Sequence, residues 1–86
     1  MKFDASEAKS LNVRITKRNA PALKKFRVAA KITQVTAAKT WGYSQSALSK
    51  IEDTNPASHL DGFIPLHALV RSLGLNAARA LMKAGA

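Results

Sequence analysis

Two periods organise the hydrophobic and polar positions of this chain. From Asn19 onward apolar residues recur every three or four positions, the spacing of helices that each bury one face. Asn19 is placed to cap a first helix with Pro21 inside its first turn, where the missing N–H costs nothing. Leu23, Phe26 and Ala30 form its apolar stripe, with Lys24, Lys25 and Lys31 on the outside and Arg27 at the border. Thr33 is a cap for a second helix beginning at Gln34, in which Ala37, Ala38 and Trp41 share one mostly small face. Gly42, able to adopt the left-handed conformation, ends that helix, and Ser44 is placed to cap a third. There Ala47, Leu48 and Ile51 point inward and leave Gln45, Ser46, Ser49 and Lys50 together outside. Thr54 to Gly62 reads as a loop, punctuated by Asn55-Pro56 and Asp61-Gly62. Pro65 suits the first turn of a fourth helix with Leu66, Leu69, Val70 and Leu73 as its stripe; Gly74 stops it, and Asn76 is the expected cap of a last helix from Ala77 to about Ala84.

The second period lies before Asn19. Leu11, Val13 and Ile15 alternate with polar residues like a brief strand, while Asp4 or Ser6 could cap a short helix through Ala8 and Leu11. Neither length nor pattern decides between them. The helices that follow predict an all-α fold, a compact bundle of about five helices, in a chain of 86 residues that has room for one domain.

Charge changes the picture most. The formal net charge is +9, and Met1 to Lys31 holds nine lysines and arginines against two acids, so seven of those charges sit in the first third. Such a surface draws polyanions by releasing their condensed counterions. Residues 1–18 are therefore expected to be a basic N-terminal arm, with Arg14, Lys17 and Arg18 as its phosphate contacts, and residues 19–86 the folded domain. A basic helix with a broad Trp, Phe or Leu face, which a membrane surface would need, is missing, and no apolar run reaches the length of a membrane span. With no cysteine and only His59 and His67, neither a disulfide nor a metal site is expected, and no cofactor. There is no glycine-rich phosphate loop and no nucleophile beside a base, so an enzyme is not expected.

The outward side of the third helix carries the candidate chemistry. Gln45, Ser46, Ser49 and Lys50 all donate hydrogen bonds, and no carboxylate stands among them. A helix in the DNA major groove needs such donors, because base edges and phosphates meet it with acceptors. Gln45 can pair bidentately with adenine, Lys50 can reach guanine O6 or N7, and the two serines are short adaptable contacts. Thr33, Tyr43, Ser44, Thr54, Asn55 and Lys24 are the candidates for holding phosphates around it.

The segment from Ile32 to Asp53 resembles, without a gap, the helix-turn-helix of the lambdoid phage repressor and Cro family, also called the XRE-type family. Gln34 matches its first-helix glutamine, Ala38 its small residue, Gly42 its turn glycine, and Leu48 and Ile51 its buried aliphatics. Glu52 matches an acid that pairs with an arginine of the preceding helix, for which Arg27 stands in the corresponding place. Val35 and Trp41 depart from the pattern, being apolar and bulkier than usual respectively. The resemblance runs from about Leu23 to Asp53 and more loosely to Leu75.

The resemblance implies a lambda-repressor-like DNA-binding domain and a bacterial cytoplasmic protein on DNA, acting as a sequence-specific repressor of transcription. Its size is similar to that of small phage and plasmid repressors, the KorC type among them. Gln34 would hold a phosphate or brace Gln45. Family members bind palindromes as two-fold dimers, and the last helix, through Leu75, Ala78, Leu81 and Met82, is the expected surface for a homodimer. The alternative within the same family is an antitoxin, which holds a protein partner as well as its operator.

Overall fold

The computed structural model describes residues 11–85. Strand β1 (Asn12–Ile15) pairs antiparallel with strand β2 (Gly62–Pro65), in the register Asn12 with Pro65, Val13 with Ile64, Arg14 with Phe63 and Ile15 with Gly62. Alternation then sends Val13, Ile15 and Ile64 into the core and leaves Asn12, Arg14 and Phe63 outside. Most of the remaining described residues fall in five helices, α1 (Ala20–Ala29), α2 (Gln34–Trp41), α3 (Gln45–Glu52), α4 (Leu66–Leu73) and α5 (Leu75–Gly85), with a loop over 53–61 between α3 and β2. The five helices agree with the expected number, but the all-α expectation is corrected by the two-stranded sheet. Residues 11–18 accordingly belong to the folded body, not to an arm; the remainder of the expected arm, residues 1–10, lies outside the described residues.

Leu23, Leu48, Ile51, Leu69 and Leu81, one or two from each of α1, α3, α4 and α5, are fully buried with Ile15 and Ile64 from the sheet. From α2 come Ala37, Ala38 and Trp41, whose small pair admits α3 closely while the indole fills the space toward α4. The indole Nε1 donates to Ser72 Oγ at 2.9 Å, so the large ring is buried without stranding its N–H.

Caps act at α2 and α3 as their sequences suggest. Thr33 Oγ1 accepts the Thr36 N–H at 3.3 Å and Ser44 Oγ accepts the Ala47 N–H at 3.1 Å, both from extended backbone. Gly42, at φ 86°, makes the reversal between them. Asn19 is a correction. It occupies the cap position of α1 in a helical conformation, and its side chain caps nothing there. Instead its Oδ1 accepts the Thr16 N–H at 2.7 Å, while Nδ2 donates to the carbonyls of Arg14 at 2.9 Å and Leu81 at 3.1 Å. One fully buried amide thus joins β1, the turn before α1, and α5. Asn76 is a second correction: α5 begins at Leu75, with the Ala78 N–H on the Gly74 carbonyl at 3.1 Å, so Asn76 sits inside its first turn.

The outer edge of β2 is occupied at its centre. On β2 the Tyr43 hydroxyl accepts the Phe63 N–H at 2.8 Å and donates to the Phe63 carbonyl at 2.7 Å, and Pro65 has no N–H to offer. Gly62 lets this happen. A Cβ there would lie 2.7 Å from Ile51 Cδ1 and 3.1 Å from the Tyr43 hydroxyl, so any side chain at this position would have to displace Ile51 from its place in the core.

Candidate nucleic-acid interface

Three side chains decide how α3 is held. Arg27 on α1 donates from Nε to Glu52 Oε2 at 2.6 Å and from Nη2 to Glu52 Oε1 at 3.1 Å, a two-pronged pair. Its Nη1 donates to the Ile32 carbonyl at 2.8 Å, and Gln34 Nε2 donates to Glu52 Oε1 at 2.9 Å. The side chains of Arg27 and Glu52 are 9% and 2% exposed, so this network sits out of water at the point where α1, α2 and α3 meet. It fixes the last turn of α3 against the other two helices.

With that turn fixed and Leu48 and Ile51 in the core, the opposite flank of α3 faces solvent. Gln45, Ser46, Ser49 and Lys50 are all exposed, and their side chains make no hydrogen bond or ion pair with the described residues. Four donors on one side of a capped helix are therefore available to a partner. The N-terminus of α3 adds unpaired backbone N–H groups and the positive end of the helix dipole, with no acid in its first turn to offset it.

Among the expected phosphate contacts, an open groove between α1 and α3 brings together Lys24, Gln34, Ser49 and Thr54, with Pro21, Val28 and Asp53 also lining it. Lys25 lines it as well, a residue to which the sequence pattern assigned no role. Helical spacing gave no signal for it: Lys24, three positions before Arg27, shares the face turned to α3, whereas Lys25, two positions before, does not. Arg14, Lys17 and Arg18 gather elsewhere, in a second groove with Thr16, Asp61 and Gly85. There Arg14 Nη2 is bonded to Asp61 Oδ2 at 3.0 Å.

Several expected contacts are altered by bonds inside the fold. Tyr43 cannot offer a phosphate its hydroxyl proton, because that proton goes to the Phe63 carbonyl. Gln34 is turned to Glu52, so it does not brace Gln45. Thr33 donates to Thr36 Oγ1 at 3.2 Å, and Asn55 Oδ1 accepts the Ala57 N–H at 3.0 Å, leaving the Asn55 amide protons outward. Thr54 is exposed without a described partner, and Lys24 is exposed with no hydrogen bond or ion pair of its own, close enough to Asp53 to help hold that carboxyl down.

Electrostatics at the surface is one-sided. Residues 11–85 contain twelve lysines and arginines against Glu52, Asp53 and Asp61, and all three acids are engaged within the fold. Asp53 takes the Ser58 hydroxyl and the Asn55 N–H, and these bonds hold its carboxyl below the ordinary range. Asp61 takes His59 and Arg14, with the same effect. Each of these carboxylates is thus hydrogen-bonded within the fold, but Asp53, whose closest donors are neutral, keeps its negative charge in the groove it lines with Lys24 and Lys25.

Two further expectations concern α5 and the histidines. Ala78 and Leu81 are fully buried and leave the proposed self-association surface; Leu75 and Met82, 37% and 46% exposed and two turns apart, remain. His67 Nδ1 is the one buried side-chain nitrogen or oxygen among the described residues without a partner, and nothing in the structure explains it. No cluster of metal-ligating groups occurs among the described residues, and no helix there is long and apolar enough to cross a membrane. Comparison with protein-family models, curated proteins and solved structures found no match to this chain.

Proposed function

We propose that this chain is a sequence-specific double-stranded-DNA-binding repressor of the phage repressor and Cro family, with α2, the Gly42 turn and α3 as its helix-turn-helix. On this reading Gln45, Ser46, Ser49 and Lys50 lie against base edges in the major groove. Lys24, Lys25 and Thr54 hold a phosphate strand beside them. The observation that carries it is the flank of α3: four donors, all exposed, none used by the described fold, on a helix whose other side is locked by the core and the Arg27–Glu52 pair. The excess of cations over acids in residues 11–85, twelve against three, supports the choice of a polyanion. A second copy of the chain would supply the other half-site on a palindrome, with Leu75 and Met82 the exposed apolar residues of α5 available to it.

Competition between duplex DNA and RNA of equal length, at several salt concentrations, tests the partner class. Duplex DNA is expected to win, and affinity to fall by about a thousandfold or more between roughly 50 and 200 mM salt if six to ten phosphates are contacted. RNA competing as well as duplex, or binding indifferent to salt, would refute the proposal.

A further inference from the structure

We propose that His59 is a proton-operated latch on the connection between α3 and β2. If the DNA-binding reading above holds, the latch also sets where Thr54 and Asn55 lie along the duplex. The His59 side chain is 2% exposed, and both of its nitrogens are in use. Nδ1 lies 2.7 Å from the Asp53 carbonyl and Nε2 lies 2.8 Å from Asp61 Oδ1. A carbonyl and a carboxylate only accept. A neutral imidazole has one N–H and one lone pair, so it satisfies one of them and turns a lone pair on the other; the doubly protonated ring satisfies both. Water has little access to a ring this buried and cannot make up the missing bond.

The latch connects distant parts of the fold. Asp53 is the residue that ends α3, and Asp61 is bonded to Arg14 on β1. Between them the loop is tied by the Ser58 and His59 N–H groups on the Asn55 carbonyl, at 3.0 and 2.8 Å, and by the Leu60 N–H on the Lys50 carbonyl at 3.1 Å. The charged groups around the ring are Asp61 and Arg14 on one side and the Asp53 carboxylate, with Lys24 of α1 acting on it, on the other. Bonds to His59 first and to Arg14 second hold the Asp61 carboxyl below its ordinary value, so this oxygen can only accept. With the second proton on the ring the latch is closed. Loss of that proton as pH rises removes one of its two bonds and frees the loop that carries Thr54 and Asn55.

The test follows the His59 ring nitrogens by NMR across about pH 5 to 8.5, with amide exchange protection at Ser58, His59 and Leu60 read in parallel. Protection is expected to fall roughly tenfold or more as the ring gives up its second proton. His59→Gln, which takes up no proton, is expected to show no such step; should that variant fail to fold, Asp61→Asn keeps the ring but removes the charged acceptor and should shrink the step. Protection unchanged through the ring's titration, or an equal step in the variant, overturns the latch. Duplex affinity measured over the same range should follow the ring; a step in protection without one in affinity overturns the link to DNA alone. Absence of duplex binding at every pH would refute the DNA-binding reading while the exchange data still judge the latch.

Discussion

Replacing Glu52 by alanine should do more damage than any other single truncation of a charged residue in this chain. It leaves Arg27 Nε and Nη2 without their acceptors at a site where the guanidinium side chain is 9% exposed, and only the Nη1 bond to the Ile32 carbonyl remains. The Gln34 amide loses its partner too. Breaking a buried pair from one side costs about 3 to 5 kcal/mol, since the other charge stays behind unpaired. A domain of this size has a total stability of about 4 to 13 kcal/mol, so Glu52→Ala removes a large share of it. Removing both charges behaves differently. Arg27→Met with Glu52→Leu fills the same space without stranding an ion, and should recover most of the loss or exceed the parent. Urea unfolding followed by helix signal, with parent, Glu52→Ala, the singles Arg27→Met and Glu52→Leu, and their double variant, measures the five stabilities on one scale. A Glu52→Ala loss below about 1 kcal/mol, as for an exposed pair, would refute the reasoning. So would a double variant that loses the sum of the two singles.

Tyr43→Phe removes one hydroxyl and two hydrogen bonds, leaving Phe63 N–H and C=O without partners at the edge of β2; a loss of about 1 to 3 kcal/mol in thermal or urea unfolding is expected. Lys24→Ala should weaken binding to every duplex alike and reduce the salt slope by about one phosphate's worth, whereas Arg14→Ala, already tied to Asp61, should change that slope less, both read by titration at several salt concentrations. Asp53 and Asp61 have carboxyls lowered from the ordinary value of 3.8, so the stability they contribute is present above that value and is lost as pH falls through their lower folded values. Acid unfolding should therefore steepen below about pH 4, and less so when Ser58→Ala removes the main cause acting on Asp53.

What could be read in the sequence was local. The Thr33 and Ser44 caps, the Gly42 reversal and the stripe of α4 all rest on residues within a few positions of one another, and short-range sterics and hydrogen bonding decide them. The Arg27–Glu52 pair spans twenty-five positions and became legible only through the family resemblance. What was missed lies further apart. β1 meets β2 across roughly fifty residues, and a four-residue strand carries too little pattern to announce a partner that distant. Asn19 reads as a cap because its type suits one, yet its amide is drawn to Leu81, sixty-two positions away, where a buried carbonyl needs a donor. The same holds at the candidate interface. The exposed flank of α3 follows from helical periodicity, but the diversion of the Tyr43 hydroxyl to Phe63 and of Gln34 to Glu52 depends on which tertiary neighbours arrive.

The central claim is that α3 reads base edges, and selection from a random duplex pool tests it most directly. The parent chain should enrich one two-fold symmetric sequence, and Gln45→Ala with Lys50→Ala should lose that preference, each good bidentate contact discriminating by about 1 to 3 kcal/mol, while helix content stays unchanged. Recovery of the same sequence by the double variant with undiminished preference would contradict the account.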